Sequence, residues 1–318
     1  VEAWTVTNQG TLVPGIKRHY IRINPEDVSN PIPDEGLEHK VVPIRNCAPG
    51  APWEFPANTI VDGGFLELVR HGIRAPGDPI IENTVQVIDA VLKTNFPAGP
   101  CWKRYNHDGY GQRDDGGPFI TWGTGRPWPL LTGERAHYEL AAGRDARPYL
   151  RAMENFATPT KMLPEQVWDA PDIPHLRLYF GKPTGAAMPL MWAHAEYIRL
   201  LRSVNDGRVF DLIPEVAERY VNRRGRQDLD IWKFSRQIKH VKPGTTLRIQ
   251  APKPFMLHWS ADEWRTVHDT RSDPNAIQAN FVDIKIPQDA RAPLRFTFRW
   301  TGDGSWEGKD HAVNVLPK

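Results

Sequence analysis

The chain has 318 residues, which is enough for one large or two medium-sized domains with a substantial core. Forty basic and 38 acidic residues give a net charge near +2, and no basic block occurs, so nucleic acid and anionic membranes are not favoured as partners. No run of about 18 apolar residues is present, so no segment is predicted to span a bilayer. The two cysteines, Cys47 and Cys101, allow at most one disulfide, and the sequence leaves their pairing open.

The first 60 residues are rich in proline and show little periodicity, so residues 1–60 are predicted to form an irregular N-terminal segment. The start of the chain, Val1-Glu2-Ala3-Trp4, is neither an initiator methionine nor a signal peptide, and we expect a matured or cleaved product. Helical periodicity begins after residue 62, with Pro79 in the first turn of the second helix. Five helices are predicted in all, over 65–73, 79–92, 127–142, 146–157 and 186–204.

Two of the connections between these helices, 96–126 and 157–184, are long and rich in Gly, Pro, Trp and Asp. Loops of this length in a compact domain are usually functional or disordered, and their aromatic content argues against disorder. Short connections that alternate with long ones are typical of an α/α barrel, with the site at the end that carries the long loops.

A polar, glycine-containing hinge over 219–226 separates the helical region from a series of strand-like runs. Pro-Gly at 243–244 and the glycines near 303 mark turns between these runs. Six strands are predicted, over 231–238, 245–250, 255–259, 281–286, 294–300 and 312–316. Short strands at this spacing predict a β-sandwich over 225–318.

Glu165 lies in the second long loop, between Pro164 and Trp168. A carboxylate held on such a loop suits the catalytic base of sugar hydrolysis, which also needs a carboxylic acid on the other side of the scissile bond. The 12 tryptophans agree with a protein that stacks sugar faces on aromatic rings, although they equally fit a chain with many loops. Glu134 and Glu139 are i and i+5 on one predicted helix, and we expect them at the surface on different faces.

The first long loop carries Arg104 and Asp108, which suit paired sugar hydroxyls, beside Trp102 and Tyr105, which offer stacking surfaces. A salt-bridged turn is the structural alternative for the charged pair. Trp128 begins the following helix, where it would either form the wall of a sugar subsite or pack in the core.

One motif points to different chemistry. Residues 70–76, which read RHGIRAP, resemble the nucleophile signature of histidine acid phosphatases, and His268-Asp269-Thr270 resembles their proton-donor motif. In that chemistry His71 would attack phosphorus and Asp269 would protonate the leaving group. Such a nucleophile should follow a buried strand, whereas His71 continues an amphipathic helical pattern, so this interpretation is disfavoured.

The helices and loops together resemble the bacterial branch of glycoside hydrolase family 15, the glucoamylases and glucodextranases. The matching stretches occur in the expected order and cover residues 61–68, 104–111, 125–143, 164–169 and 181–203. Five ordered matches are more specific than any single motif. The C-terminal strands also resemble the β-domain that follows the barrel in these enzymes.

This resemblance implies an α + β two-domain chain, with the C-terminal half of an (α/α)6 catalytic barrel over 61–218, followed by the β-sandwich domain. The implied activity is the release of glucose, with inversion, from the non-reducing ends of α-glucans. The roles that follow are a general base (Glu165), residues that bind sugar hydroxyls (Arg104, Asp108), a subsite wall (Trp128), a neighbour of the base (Gln166) and a residue in the helix behind the site (Trp192). No cofactor or catalytic metal is implied, and a structural calcium at Asp114-Asp115-Gly116 is left open.

The family's general acid precedes the base by more residues than this chain provides. We therefore expect a subunit or processed chain that acts with an N-terminal chain of the same precursor and is secreted or periplasmic. The alternatives are a transglucosidase that moves glucosyl units between α-glucans, a non-catalytic fragment that binds glucan, and, more remotely, the phosphatase. The sequence does not distinguish α-1,4 from α-1,6 linkages.

Overall fold

The computed structural model describes residues 1–23, 40–224, 228–274 and 279–317, so 24–39 of the predicted N-terminal segment lie outside the described residues. The described chain divides into a helical unit, which contains 1–23 and 40–224, and a β unit, which contains 228–317. Within these ranges, no helix has the length and apolar character needed to cross a membrane. Cys47 and Cys101 are both free thiols.

The described part of the N-terminal segment is more regular than its composition predicts. After a short helix α1 (Glu2–Thr5), strand β1 (Val6–Thr7) pairs antiparallel with β2 (His19–Tyr20), and β3 (Val41–Pro43) pairs antiparallel with β4 (Glu54–Pro56). Tyr20 joins the core of the helical unit, where its ring stacks on Phe65 with the centroids 5.6 Å apart. This part of the segment is therefore packed against the helices.

The five predicted helices are all present. They are α2 (Leu66–Arg70), α3 (Pro79–Val91), α4 (Pro129–Ala141), α5 (Arg147–Phe156) and α6 (Met191–Asp206), and a short α7 (Pro214–Ala217) follows. Asp78 caps α3 by accepting a hydrogen bond from the Ile80 amide at 2.9 Å, and Pro79 occupies the first turn, where it removes an amide that has no partner. Helix α2 stops earlier than predicted because Gly72 adopts a left-handed conformation, with φ +82°.

Helix α4 packs against α2, α5 and α6. Gly133 lets α4 approach α6 closely, because a Cβ there would lie 2.6 Å from Cγ of Glu196. The apolar faces of α2 and α3 form one buried cluster, in which each fully buried aliphatic side chain contributes about 1.5–3 kcal/mol. The first long loop begins with an unpredicted hairpin of β5 (Lys93–Phe96) and β6 (Gly99–Trp102).

The β unit contains two sheets. Their strands are β7 (Leu229–Lys233), β8 (His240–Val241), β9 (Thr246–Ala251), β10 (Phe255–Ser260), β11 (His268–Arg271), β12 (Asp273–Pro274), β13 (Asn280–Lys285), β14 (Leu294–Trp300) and β15 (His311–Val315). The sheet orders are β11-β10-β14-β15-β8 and β12-β13-β9-β7. Leu247 and Ile249 from one sheet share a core with Phe296 and Phe298 from the other, as in a sandwich. The predicted strand over 231–238 is shorter in the structure, because the chain turns back on itself at Lys233.

Candidate active site

Backbone hydrogen bonds hold the loop that carries Glu165 in a fixed position. The amide of Glu165 donates to the carbonyl of Ala187 at 2.9 Å, that of Val167 to Pro127 at 3.0 Å, and that of Trp168 to Lys182 at 2.8 Å. The Trp168 side chain is fully buried, which fixes the loop to the core, and its indole N–H donates to the carbonyl of Pro171 at 2.8 Å. The sequence has no helical periodicity in this loop. Its backbone is ordered by hydrogen bonds to neighbouring loops instead of by a helix or a sheet.

The Glu165 side chain lies in a polar pocket with little access to solvent, since the residue is only 6% exposed. Nε2 of Gln166 donates to its Oε1 at 3.3 Å, and the hydroxyl of Tyr110 is also hydrogen-bonded to the carboxylate. Burial raises the pKa of Glu165, while the bonds from Tyr110 and Gln166 and the charge of Arg104 act in the opposite direction. The net result is a raised pKa, which makes the ionised carboxylate a stronger base than an exposed one.

Arg104 lies beside this carboxylate in a cage of aromatic rings. Its Cζ atom is 5.0 Å from the ring centroid of Tyr110, 5.2 Å from that of Trp128 and 5.4 Å from that of Tyr105. Its guanidinium binds both carboxylate oxygens of Asp108, at 2.7 and 2.8 Å. The structure thus brings together five of the predicted site residues, Glu165, Gln166, Arg104, Tyr105 and Trp128, and adds Tyr110, which was not among them.

Asp108 has a different role from the predicted one. Its side chain is 1% exposed, and besides Arg104 it accepts a hydrogen bond from the Tyr110 amide at 3.0 Å. Because both carboxylate oxygens are already engaged and buried, Asp108 holds Arg104 and does not offer an oxygen to a sugar hydroxyl.

Two of the predicted aromatic site residues are placed differently. Trp102 is 4% exposed, donates its indole N–H to Asp89 at 3.0 Å and stacks on Tyr149, so it belongs to the core and is not a sugar platform. Trp192 was expected behind the base, but it lies in the first turn of α6 and is 66% exposed. Sequence periodicity could not show that Trp102 is buried and Trp192 exposed, because both positions depend on packing between residues distant in sequence.

Arg126 joins the two long loops. Its buried guanidinium binds Asp114 at 2.7 Å and Asp169 at 2.8 Å, and its Cζ atom lies 4.2 Å from the Trp168 ring centroid. Asp114 is therefore engaged in an ion pair at the loop where calcium was left open. In the parts of the chain that the structure describes, no group of three or more His, Cys, Asp or Glu residues is arranged to hold a metal ion.

The prediction that Glu134 and Glu139 lie at the surface is wrong. Glu139 is buried and paired with Arg135 at 2.7 Å and with Arg144. Burial raises the pKa of Glu134 to about 8, helped by the nearby charges of Glu67 and Glu196. Both positions face neighbouring elements because α4 is surrounded on several sides, which a helical pattern alone does not reveal.

The phosphatase-like motif is engaged in structural contacts. Arg70 is buried and binds Glu196 at 3.1 Å and Asp211 at 2.9 Å, so its guanidinium is not available to a phosphate. His71 pairs with Glu67 at 2.9 Å in the helical unit, and Asp269 pairs with His258 at 2.8 Å in the β unit. Arg70 and His71, which this chemistry would use to bind and attack the phosphate, are thus both paired with carboxylates of the protein.

A second arrangement resembles a nucleophile triad but has no access to substrate. His137 lies 3.2 Å from Oγ of Ser203 and 2.8 Å from Oε1 of Glu196. Ser203 and His137 are fully buried, and the Ser203 hydroxyl donates to the Arg199 carbonyl at 2.8 Å. The serine is thus a structural link between α4 and α6 and is not an activated nucleophile.

Comparison with known proteins shows which family this chain resembles. Residues 54–202 match the family model described as Glycosyl hydrolases family 15. A glucoamylase of Clostridium sp. (strain G0005) is 43% identical over 221 residues, which are 70% of this chain and 28% of that protein. A cycloisomaltooligosaccharide glucanotransferase of Niallia circulans is 29% identical over 103 residues, 28% of this chain and 11% of that protein.

A solved structure of a bacterial glucoamylase complexed with acarbose superposes with a TM-score of 0.60 at 41% identity, over 70% of this chain and 30% of that one. The chain thus spans less than a third of the length of the relatives that it matches. Residues 54–202 are therefore similar to the glycosyl hydrolases, and within them to family 15. The resemblance drawn from the sequence motifs is confirmed by the family model, the glucoamylase relative and the solved structure.

Proposed function

We propose that this chain forms part of an exo-acting, inverting α-glucosidase of the glucoamylase or glucodextranase type, in which Glu165 is the general base. The observation that carries the proposal is the environment of Glu165, a buried carboxylate with a raised pKa beside a caged arginine. Glu165 takes a proton from a water molecule, and that water attacks the anomeric carbon on the face opposite the leaving sugar. A carboxylate in this role acts on water and forms no covalent bond to the sugar.

Arg104 is the residue proposed to bind sugar hydroxyls. Its side chain keeps 34% of its surface exposed even though Asp108 holds its guanidinium from the buried side. Hydrogen-bond donors of Arg104 can therefore meet hydroxyl oxygens while Asp108 fixes their direction. Of the two alternatives for Trp128, the structure favours core packing, because the residue is 4% exposed and supports the guanidinium from the buried side. Tyr105, which is half-buried, is proposed as the apolar wall of the subsite.

The general acid is proposed to come from a preceding region of the same precursor, which completes an (α/α)6 barrel with these helices. Inverting glycosidases keep the two carboxyl groups about 6.5–9.5 Å apart so that water fits between base and sugar. We propose that the mature protein acts outside the cytoplasm on α-glucans, without a cofactor. The precursor's other region would be present either as a continuous polypeptide or as an associated chain.

Glu165→Gln tests the role of the base in the assembled protein. It keeps the size of the side chain but cannot accept a proton from water, so we expect glucose release from maltodextrin and dextran to fall by about 10²- to 10⁴-fold. Glucan binding should be retained. The control is Glu154→Gln, which changes an exposed carboxylate on α5. Unchanged turnover in Glu165→Gln would remove this residue from the mechanism.

Product analysis separates hydrolysis from transfer. A hydrolase releases free glucose from the start of the reaction, with the anomeric configuration inverted, whereas a transglucosidase forms longer glucans that accumulate with time. Transfer is retained as the alternative because one relative is named a glucanotransferase. A protein that binds glucan with no turnover in its assembled form would instead favour the non-catalytic alternative.

A further inference from the structure

Three rings form an aromatic platform on the β unit: His258 on β10, Trp264 in the loop after β10, and Trp306 in the loop after β14. The ring of Trp264 stacks on His258 with the centroids 5.6 Å apart and 23° between the planes. The ring of Trp306 stands at 85° to His258, with the centroids 5.4 Å apart. The three rings therefore form a corner with two differently oriented walls.

The platform does not belong to the core of the β unit. Along β10, Leu257 is buried in the core between the two sheets, and since side chains alternate along a strand, the adjacent His258 points to the outer face. Trp306 is 52% exposed, whereas the core tryptophan of the same unit, Trp232, is 1% exposed. The apolar surface of the platform rings is thus not explained by stabilisation of the sandwich.

Both tryptophans are held in place by their loops. Trp264 has φ +66°, a backbone conformation that is unfavourable for a large side chain, and its amide is bound by Oγ of Ser260 at 3.0 Å. Trp306 forms a backbone bridge with Arg299 of β14, and Cζ of Arg299 lies 6.0 Å from the Trp306 ring centroid. Rings that are already ordered lose little conformational entropy when a ligand stacks on them.

Polar groups of both signs surround the platform. Asp269 on β11 accepts a hydrogen bond from Nδ1 of His258 at 2.8 Å and remains well exposed. Arg299 lies on the opposite side, and Glu263 next to Trp264 is paired with Arg295. Because acidic and basic groups are balanced, the surface offers hydrogen bonds without a net field, which suits a neutral, hydroxyl-rich ligand better than an ionic one.

We propose that the aromatic platform is a glucan-binding surface, formed by residues of the β unit and not by those around Glu165. The C–H groups of a pyranose ring stack on the electron-rich face of Trp306, and its hydroxyls reach Asp269 and Arg299. The choice of glucan as the ligand rests on the proposed function, while the prediction of a neutral carbohydrate rests on the platform itself. Such a surface would keep a long polymer attached between successive turnovers.

The test uses the assembled protein with the Glu165→Gln substitution, so that the glucan is not consumed. Binding to dextran and to soluble maltodextrin is measured by the retardation of migration in polysaccharide-containing native gels and by titration calorimetry. Trp306→Ala and Trp264→Ala are each expected to weaken binding of the long glucan about fivefold to tenfold. The matched control is Trp53→Ala, which removes a similarly exposed tryptophan from the helical unit and should leave binding unchanged.

Turnover separates this proposal from the proposed function. With Glu165 intact, Trp306→Ala should leave the hydrolysis of maltose unchanged and lower the rate on long glucans at low concentration. Wild-type affinity in both platform variants would overturn the inference, as would an equal loss in Trp53→Ala. The assembled protein could also prove to have no glucosidase activity while Trp306→Ala still weakens glucan binding. That result would support the platform as a glucan-binding surface and contradict the proposed function.

Discussion

The hydrogen bond from Tyr110 to Glu165 makes a specific prediction about the pH profile. This bond stabilises the ionised carboxylate, so Tyr110→Phe should raise the pKa of Glu165 further above its ordinary value. A general base must be deprotonated, and activity is lost as the pH falls through its pKa. We therefore expect the acidic limb of the kcat/KM profile of Tyr110→Phe to move to higher pH, with a smaller effect near neutrality.

Tyr105→Phe is the matched control for this substitution. Tyr105 also packs beside Arg104, and its hydroxyl is hydrogen-bonded to Asp108. Its acidic limb should coincide with that of the wild type. If Tyr110→Phe leaves the limb in place and only lowers activity uniformly, Tyr110 supports the shape of the site and does not set the basicity of Glu165.

The sequence predicted a carboxylate at Glu165 and an arginine at Arg104 as site residues. It did not predict whether a side chain points toward the site or into the core. Ordered motifs identified the loop, but Asp108 and Trp102 have the same residue types whether they face a sugar or the core. Burial decided between these roles: the Asp108 carboxylate is turned inward to Arg104, and the Trp102 indole is turned to Asp89. Tyr110 lies within a matching stretch, and only its contact with Glu165 distinguishes it from the other aromatic residues there.

Helix α4 carries a half-buried acid, Glu134, whose titration should affect stability. In the folded protein the pKa of Glu134 is raised to about 8, first by burial and then by Glu67 on α2 and Glu196 on α6. The unfolded chain releases this proton near its ordinary pKa of about 4.3. Between these values the folded state binds the extra proton, so this group's contribution to stability is present at acidic pH and is lost as the pH rises toward 8.

Glu134→Gln should remove this dependence, because the amide stays neutral. We expect the melting temperature of the variant, relative to the wild type, to increase as the pH is raised from about 5 to about 8. Glu154→Gln makes the same chemical change at an exposed position on α5, and its melting temperature is compared with that of the wild type over the same pH range. Melting curves for all three proteins across this pH window provide the measurement, and a constant difference would show that Glu134 titrates normally.

Helices were easier to predict than loops or short strands, for a physical reason. The apolar face of α3, with Ile81, Val85 and Ile88, repeats at helical spacing and is buried as predicted. Strand β11 is polar and largely exposed, and it exists because it pairs with β10 and not because of its own pattern. The loop around Glu165 depends in the same way on hydrogen bonds to residues distant in sequence.

At the scale of the whole molecule, helix α6 presents an apolar face to solvent. Met191, Trp192 and Ile198 are each more exposed than buried. Met191 and Ile198, seven residues apart, lie on the same side of the helix, and Trp192 lies about 100° around the axis from Met191. A soluble protein rarely leaves such a stripe uncovered. The proposed function, in which a preceding region completes the barrel, predicts that this region covers the exposed face of α6.

Ile198→Asp tests this inference. A buried, unpaired carboxylate in the completed interface is strongly unfavourable, so the variant should bind a separately produced N-terminal region of the precursor at least about tenfold more weakly. Arg151→Asp, at an exposed position of α5, serves as the control and should associate normally. Association is measured by analytical ultracentrifugation of the mixed chains and followed by glucose release, which the proposed function expects only from the complex. Equal association of Ile198→Asp and the wild type would mean that another surface joins the two parts, and glucose release by the isolated 318-residue chain would place the general acid within it.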